Sequence, residues 1–497
     1  MNVLLINPGT GFQPSMPFMP LGLLSIASYV KSRGFHVRVY DRNVEKTPLE
    51  KVLREFPPDA VGISTISRRS VNDAIPVSER FRKAGIPVIW GGHMASIAPE
   101  LVLKEGAADY VVVGEGEITF HALLLAIEKK QDVSQIEGLV YRDAAGNICR
   151  TPERAFANLA DFPVTDWSLV NPRNYFAPHY RCAKMTFVYC SKGCPYRCAF
   201  CYNKGYHRCQ YRKRPVAHVV EEVRALAACG MDGVEFADEL FGANKKDLYE
   251  LCAQLKEMEP RVVWGFQTRV GHLSREDYQT MYDAGCRWVF FGIESGSPEM
   301  LRRIHKEINL EKIDLDFQYC KELGITIMNA FIVGFPDETE EQLRDTVRLI
   351  LRLDADLCAM SMFYPNPGSE LFDSLLAQGR VTPFTSLRQN GNFFPTTGLA
   401  ANYSAVPTRD LHVIQGFFNW RNFFRKNISK DKQKYRFARK TLISSIRQIF
   451  EQGFAHMWKY IFYSARLFMT VAWYRFAYPG IRKKYGLREP GRSTASS

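Results

Sequence analysis

Nowhere does the chain run to the roughly eighteen consecutive apolar residues that a membrane-crossing helix needs, so no transmembrane span is expected. A basic leader is missing too: Met1-Asn-Val-Leu-Leu-Ile6 stops at Asn7-Pro8, which reads as a first strand and not as a signal peptide. No cysteine precedes Cys149, and Cys149, Cys182, Cys190, Cys209, Cys229, Cys252, Cys286, Cys320 and Cys358 show no paired spacing. That scatter argues against a disulfide framework and suits small buried apolar residues in a reducing, cytoplasmic setting. What remains is ordinary in bulk: 497 residues, 46% hydrophobic and 24% charged, enough for two or three soluble domains with large cores.

One stretch stands apart, Cys194-Pro-Tyr-Arg-Cys198-Ala-Phe-Cys201. It follows the β-branched and aromatic run Met185 to Tyr189, so its thiols fall on a loop at the carboxyl end of a strand. Three thiolates can hold three corners of a four-iron, four-sulfur cluster, leaving one iron open to a ligand. Zinc is the competing reading, but no second cysteine pair lies nearby to complete a tetrahedral site. Two-cluster ferredoxins add a fourth cysteine and a following proline, both absent here. Cys190 is a rival first ligand, with a poorer spacing than Cys194, Cys198 and Cys201.

Residues 1–135 alternate strand and helix. Val3 to Ile6, Val37 to Tyr40, Ala60 to Ser64, Pro87 to Trp90 and Tyr110 to Val113 read as strands. Helices are expected from Leu21 to Val30, Val71 to Lys83, Ile97 to Lys104 and Thr119 to Lys129. Such alternation predicts a flavodoxin-like five-stranded parallel sheet, which binds ligands beyond the carboxyl ends of its strands. Those ends carry Pro8, Ser64, Gly91-Gly92-His93 and Gly114-Glu115-Gly116, short loops that a large flat cofactor can approach closely. Any one of these glycines is explained equally well by a tight turn.

Residues 136–184 read as a hairpin and an extended linker, and residues 185–384 as a second α/β unit. Its strands are Met185 to Tyr189, Val234 to Ala237, Val262 to Gln267, Trp288 to Ile293, Thr326 to Val333 and Leu357 to Phe363. Six βα units predict a partial (β/α)6 barrel with its chemistry at the carboxyl rim. Pro215 opens one helix that Gly230 closes, and Thr339 with Gln342 forms a capping box. Asp238, Glu239, Arg269, Glu294, Asp337 and Glu338 gather at the rim, where a charged residue is often only a solvated cap.

Residues 385–497 form a mostly helical region of different character. From residue 401 onward nineteen Lys and Arg face four Asp and Glu, a net +15 against +13 for the whole chain. Aromatics interleave with this charge, among them Phe417, Phe418, Trp420, Phe423, Tyr435, Trp458 and Trp473. A membrane surface on the inner face, a plain helical cap on the barrel and a nucleic-acid surface all fit that pattern, with nucleic acid the weakest.

The cysteine triplet, with Phe200 before its third member, resembles the signature of the radical S-adenosylmethionine (SAM) superfamily. The series Pro20-Leu-Gly-Leu-Leu, Val61-Gly-Ile-Ser, Gly91-Gly-His-Met-Ala-Ser and Ala108 to Glu117 resembles the cobalamin-binding domain of the cobalamin-dependent branch. The resemblance covers about residues 1–380. It implies a [4Fe-4S] cluster on Cys194, Cys198 and Cys201, with SAM chelating the open iron. SAM contacts implied are Phe200, the Asp238-Glu239 motif, Arg269, Gly292-Ile-Glu294-Ser-Gly296, and Gly334 with Asp337 in a variant Gly-x-Ile-x-Gly-x-x-Glu pattern. Cobalamin contacts implied are Pro8, Ser64, Gly91, Gly92, His93, Gly114, Glu115 and Gly116. No Asp-x-His-x-x-Gly motif occurs, so no protein histidine is expected on cobalt.

The activity implied is methylation of an unactivated carbon on a small, amphiphilic or lipid-like molecule, with electrons from a flavodoxin or ferredoxin. The alternatives are a ring-forming enzyme like the anaerobic magnesium-protoporphyrin ester cyclases and, more remotely, a non-catalytic corrinoid carrier. Methylthiotransferases acting on transfer RNA carry cysteines in their first domain, which this chain lacks, so no nucleic-acid partner is expected.

Overall fold

The computed structural model describes residues 1–10, 18–66, 68–175, 181–382, 386–387, 401–428 and 479–487. Its first sheet is built on β1 (Asn2–Asn7), whose Val3, Leu4, Leu5 and Ile6 are essentially fully buried. Around it lie β2 (His36–Asp41), β3 (Ala60–Ser64), β4 (Val88–Gly91) and β5 (Tyr110–Val112), all parallel, in the order β2-β1-β3-β4-β5. That is the flavodoxin-like arrangement expected. Gly62 in β3 is a packing requirement: a Cβ there would sit 2.5 Å from Leu5, against the ring of Phe120.

Three local expectations need correcting. The hairpin β6 (Leu139–Arg142) and β7 (Ile148–Arg150) does not stand as a free connector but extends the same sheet, β6 pairing antiparallel with β5. The helix expected over 97–104 is two pieces, His93–Ile97 and Pro99–Lys104, because Pro99 has no N–H to continue the first and is suited to start the second. A short helix, Leu49–Glu55, was not anticipated; it buries only Leu49 and Val52.

The second sheet begins with β8 (Met185–Val188). A two-stranded ribbon, β9 (Ser191–Lys192) with β10 (Arg212–Lys213), frames the cysteine loop. The sheet continues through β11 (Gly233–Phe236), β12 (Val263–Thr268), β13 (Cys286–Glu294), β14 (Thr326–Val333) and β15 (Leu357–Met362). All six of its strands run parallel, in the order β15-β14-β13-β12-β11-β8, a half-barrel as the βα pattern predicts. The capping box of Thr339 with Gln342 is present on helix Glu340–Leu353. One apolar core runs through both units, joining Leu5, Leu24 and Phe120 to Val219, Phe236 and Phe266.

Helix Thr408–Ile428 lies along the edge strand β15. Asn422 accepts from the Cys358 N–H (3.1 Å) and donates to the Cys358 carbonyl, standing in for the strand neighbour that the edge lacks. Leu411, Ile414, Phe417 and Phe418 on this helix are fully buried. These aromatics therefore belong to the cap on the barrel, not to a membrane-facing surface. The rest of the basic aromatic stretch, 429–478, lies outside the described residues, and no described helix is long and apolar enough to cross a membrane.

The linker is anchored by a buried ion pair. Glu222 accepts from Arg214 at 2.5 Å and, through the same oxygen, from the Thr165 N–H at 2.9 Å. Replacing Arg214 with Ala strands the Glu222 carboxylate in the core. Urea denaturation of Arg214→Ala should show a loss of about 3–5 kcal/mol; an unchanged midpoint would deny the pair that role.

Candidate active site

The cysteine loop leaves the ribbon at Gly193, whose φ of 79° and a Gln210 carbonyl oxygen 2.1 Å from any Cβ admit only glycine. Asn203 ties the loop together. Its Oδ1 accepts from the Cys194 N–H (3.2 Å), its Nδ2 donates to the carbonyls of Cys194 (2.6 Å) and Tyr196 (3.1 Å), and its N–H points at the Cys201 sulfur (3.5 Å). Arg269, at the end of β12, stacks 3.6 Å above the Tyr196 ring and approaches the Cys198 sulfur at 3.6 Å. Burial pushes the Cys194 and Cys201 thiols up, the latter to about 12. Such thiols give up their protons when a metal cation takes the proton's place. Among the described residues no three His, Cys, Asp or Glu side chains close around a single ion; three thiols spread along one loop could hold three corners of an iron–sulfur cube.

The other rim residues divide by what they touch. Phe200 packs on Phe335, ring centroids 5.8 Å apart. Asp238 is spent on the base of the loop, accepting from the Cys190 N–H (3.1 and 3.0 Å) and the Ser191 hydroxyl, and burial pushes it up to about 7. Glu239 accepts from the Gly193 N–H (3.0 Å) and lies 3.2 Å from His207 Nε2. Glu294, with a φ of 72°, pairs with buried Lys306 at 3.2 Å. At Gly334 the expected register is off by one. Asp337 turns outward to Arg303 and Arg380, its side chain 64% exposed, whereas the neighbouring Glu338 is fully buried and accepts from the Gly334 N–H at 2.5 Å. Burial raises Glu338 to about 7. Asp337 is thus a surface residue, and Glu338 is the carboxyl beside the barrel interior.

Between the two sheets lies a cavity of about 470 Å³. Ser64, Gly91, Gly92, His93, Gly114, Glu115 and Gly116 all line it; Pro8 does not, its carbonyl being held by the Asn43 side chain at 3.0 Å. The facing wall comes from the barrel: Tyr189, Lys192, Tyr202, Tyr206, His207 and Glu239. Tyr202 directly follows Cys201, so this wall adjoins the cysteine loop. The His93 ring stands 5.0 Å from Tyr202 and 5.6 Å from Tyr206, and the Tyr206 hydroxyl donates to the Gly114 carbonyl at 3.2 Å. Gly91 leaves its backbone open, a Cβ there meeting nothing nearer than 3.8 Å. A smaller cavity of about 250 Å³ shares His93, Tyr202 and Tyr206 with the first.

Glu115 is engaged in a bidentate pair with Arg212 (2.7 and 2.5 Å), and Glu117 pairs with Lys192 at 3.1 Å. Burial alone would pull the Lys192 ammonium down; Glu117 and Glu115 outweigh it and hold the group above its ordinary range. Sequence reasoning missed Lys192, Arg212, Lys306 and the Tyr202–Tyr206 pair. Only the tyrosines left a signal, four residues apart beside the third cysteine.

Residues 14–124 match the B12 binding domain model, and residues 188–350 match the Radical SAM superfamily model. An uncharacterized methyltransferase of Pyrococcus horikoshii is 30% identical over 365 residues, 72% of this chain and 78% of that protein. The chain belongs to the cobalamin-dependent radical SAM family. It is a radical SAM enzyme, and its cofactors are an iron–sulfur cluster, SAM and cobalamin. The anaerobic magnesium-protoporphyrin IX monomethyl ester cyclase of Rubrivivax gelatinosus is 25% identical over 471 residues, 91% of this chain and 83% of that protein. A hopanoid C-2 methylase of Rhodopseudomonas palustris is 26% identical over 402 residues, 77% of this chain and 70% of that protein. In fold the chain matches the radical SAM methyltransferase TsrM of Kitasatospora setae, with a TM-score of 0.66 at 22% identity, over 76% of this chain and 75% of that one.

In this radical SAM enzyme His93 is a neutral cavity wall. Burial, helped by the neighbouring His207, lowers it to about 4. A base depressed in the fold contributes stability that is complete above its unfolded value of about 6.5 and is lost as pH falls toward 4. NMR titration should find His93 uncharged at pH 5, and His93→Gln should flatten the stability profile between pH 6.5 and 4; a His93 titrating near 6.5 would contradict this.

Proposed function

We propose that the enzyme methylates an unactivated carbon of a small, largely apolar or amphiphilic molecule. The observation that carries this reading is the shared cavity: the glycine loops of the first sheet form one wall, and the other wall adjoins the cysteine loop. Cys194, Cys198 and Cys201 hold the cluster. Arg269, Glu294, Lys306 and Glu338, with Phe200 and Gly334, supply the charged and apolar partners for SAM. Cobalamin lies on Ser64, Gly91, Gly92, His93, Gly114 and Gly116. The apolar slot beneath them, between Leu5, Ile26, Gly62 and Phe120, takes the part of the cofactor that must leave water. Once bound, these groups supply hydrogen abstraction and methyl donation. The chain's own work is to fix them around one reacting carbon and keep water away.

The residues suit that work. Neutral His93 and the two tyrosines form a polar, uncharged stretch of wall beside the reacting space, and Glu239 lies against His207 within the same lining. Electrons come from a small reducing protein of the flavodoxin or ferredoxin type. A second reading, ring formation without methyl transfer, draws on the cyclase relative, whose match spans nearly the whole chain.

Anaerobic assay of reconstituted enzyme with reductant, SAM and methylcobalamin separates these readings. Methyl transfer predicts both 5′-deoxyadenosine and S-adenosylhomocysteine, and a product heavier by one CH2. Cys198→Ala should lose the cluster absorbance and both SAM products. Formation of 5′-deoxyadenosine without S-adenosylhomocysteine would favour ring formation, and formation of neither would leave a corrinoid carrier.

A further inference from the structure

Alternation along the strands divides the half-barrel into two faces. Val234, Phe236, Val289 and Phe291 pack outward into the core under the helices. Trp288 forms a separate apolar group on the concave face with Phe187 and Met328. In the middle of that group stands a carboxylate. Glu235 pairs in register with Phe187 on β8 and Gly265 on β12, and Gly265 pairs in turn with Trp288 on β13. The Trp288 Nε1–H donates to Glu235 Oε2 at 3.2 Å.

This floor is constructed. A Cβ on Gly265 would lie 2.1 Å from the Trp288 indole nitrogen, so only glycine lets the indole lie flat and reach Glu235. Among the described residues no cation pairs with Glu235, and Trp288 is its one donor. Burial pushes the carboxyl up, as expected for a charge without a counter-ion. Yet the residue keeps partial exposure, and the alternation of the strand turns it to the concave side of the sheet with the partly exposed Phe187. Glu235 lies three residues before Asp238, roughly 10 Å down the strand from the rim, so it is not one of the rim groups assigned to SAM.

We propose that Glu235 and the aromatic floor around it bind a cationic group of the substrate, an ammonium or similar organic cation. The inference rests on the proposed methylation at the cavity above and narrows its substrate class to molecules with a basic end. A carboxylate held by the fully buried Trp288 indole and set beside the partly exposed Phe187 ring offers a cation both a counter-charge and a ring face, and selects against a neutral analogue of the same shape. Phe18, from the first unit, extends the aromatic wall at 5.4 Å from Phe187.

The test uses the reconstituted full chain saturated with SAM, titrated calorimetrically with 2-phenylethylammonium and with neutral 2-phenylethanol. The expected result is at least about tenfold tighter binding of the cation, which corresponds to about 1.4 kcal/mol. In Glu235→Gln that preference should vanish while affinity for the alcohol and the melting temperature hold. Phe187→Leu should weaken the cation more than the alcohol. Equal affinities in the natural chain, a preference that survives Glu235→Gln, or no saturable binding of the cation would each overturn the proposal. Formation of 5′-deoxyadenosine and S-adenosylhomocysteine in the same preparation reports on the methylation reading separately.

Discussion

The arrangement depends on one set of buried charges. Lys192 and Arg212 flank the cysteine loop on its two-stranded ribbon, and they reach across to Glu115 and Glu117 on the glycine loop of the first sheet. Glu117 also accepts from Ser25 at 2.6 Å, which ties the network to the first helix. A bidentate guanidinium–carboxylate pair fixes direction as well as distance. Buried ion pairs are often worth little in net stability, but their geometry is demanding. Here that geometry sets the spacing between the two walls of the cavity. The apolar core that runs through both units holds the units together; the charges set how they face.

Around that frame the site keeps charge where it is useful and removes it elsewhere. His93, Tyr202 and Tyr206 make one uncharged stretch of the cavity wall, while Lys192, Glu115, Glu117 and Glu239 line the same cavity. Charged rim residues are consumed in pairs: Glu294 with Lys306, Glu239 with His207, Glu115 with Arg212. Glu338 is spared a cation, and burial raises it to about 7.

Much of this was legible from local pattern. Alternating strands and helices gave both sheets, and the cysteine spacing marked the loop that adjoins the cavity. The glycine loops that line the cavity stood out because strand ends in parallel sheets are where ligands sit. What escaped was non-local or off by one. Lys192 and Arg212 carry no motif, since their partners lie 75 and 97 residues away. Asp337 and Glu338 are adjacent carboxylates, and only the left-handed backbone at Asp337, φ 57°, decides which of them turns inward. For Phe417 and Phe418 a membrane face and a cap on the barrel both stood open, because an apolar helix stripe looks the same whether a sheet or a bilayer covers it. The hairpin after β5 joined the sheet edge because an unpaired strand edge attracts a partner.

The central proposal is that the cluster sits beside the cavity that receives the corrinoid. Pulsed electron paramagnetic resonance on reconstituted enzyme, with the cluster reduced and cobalamin in its paramagnetic Co(II) state, tests it most directly. The account predicts a dipolar interaction between the two centres that weakens when the Arg212–Glu115 pair is removed. Two signals that relax independently, in enzyme carrying both cofactors, would contradict it.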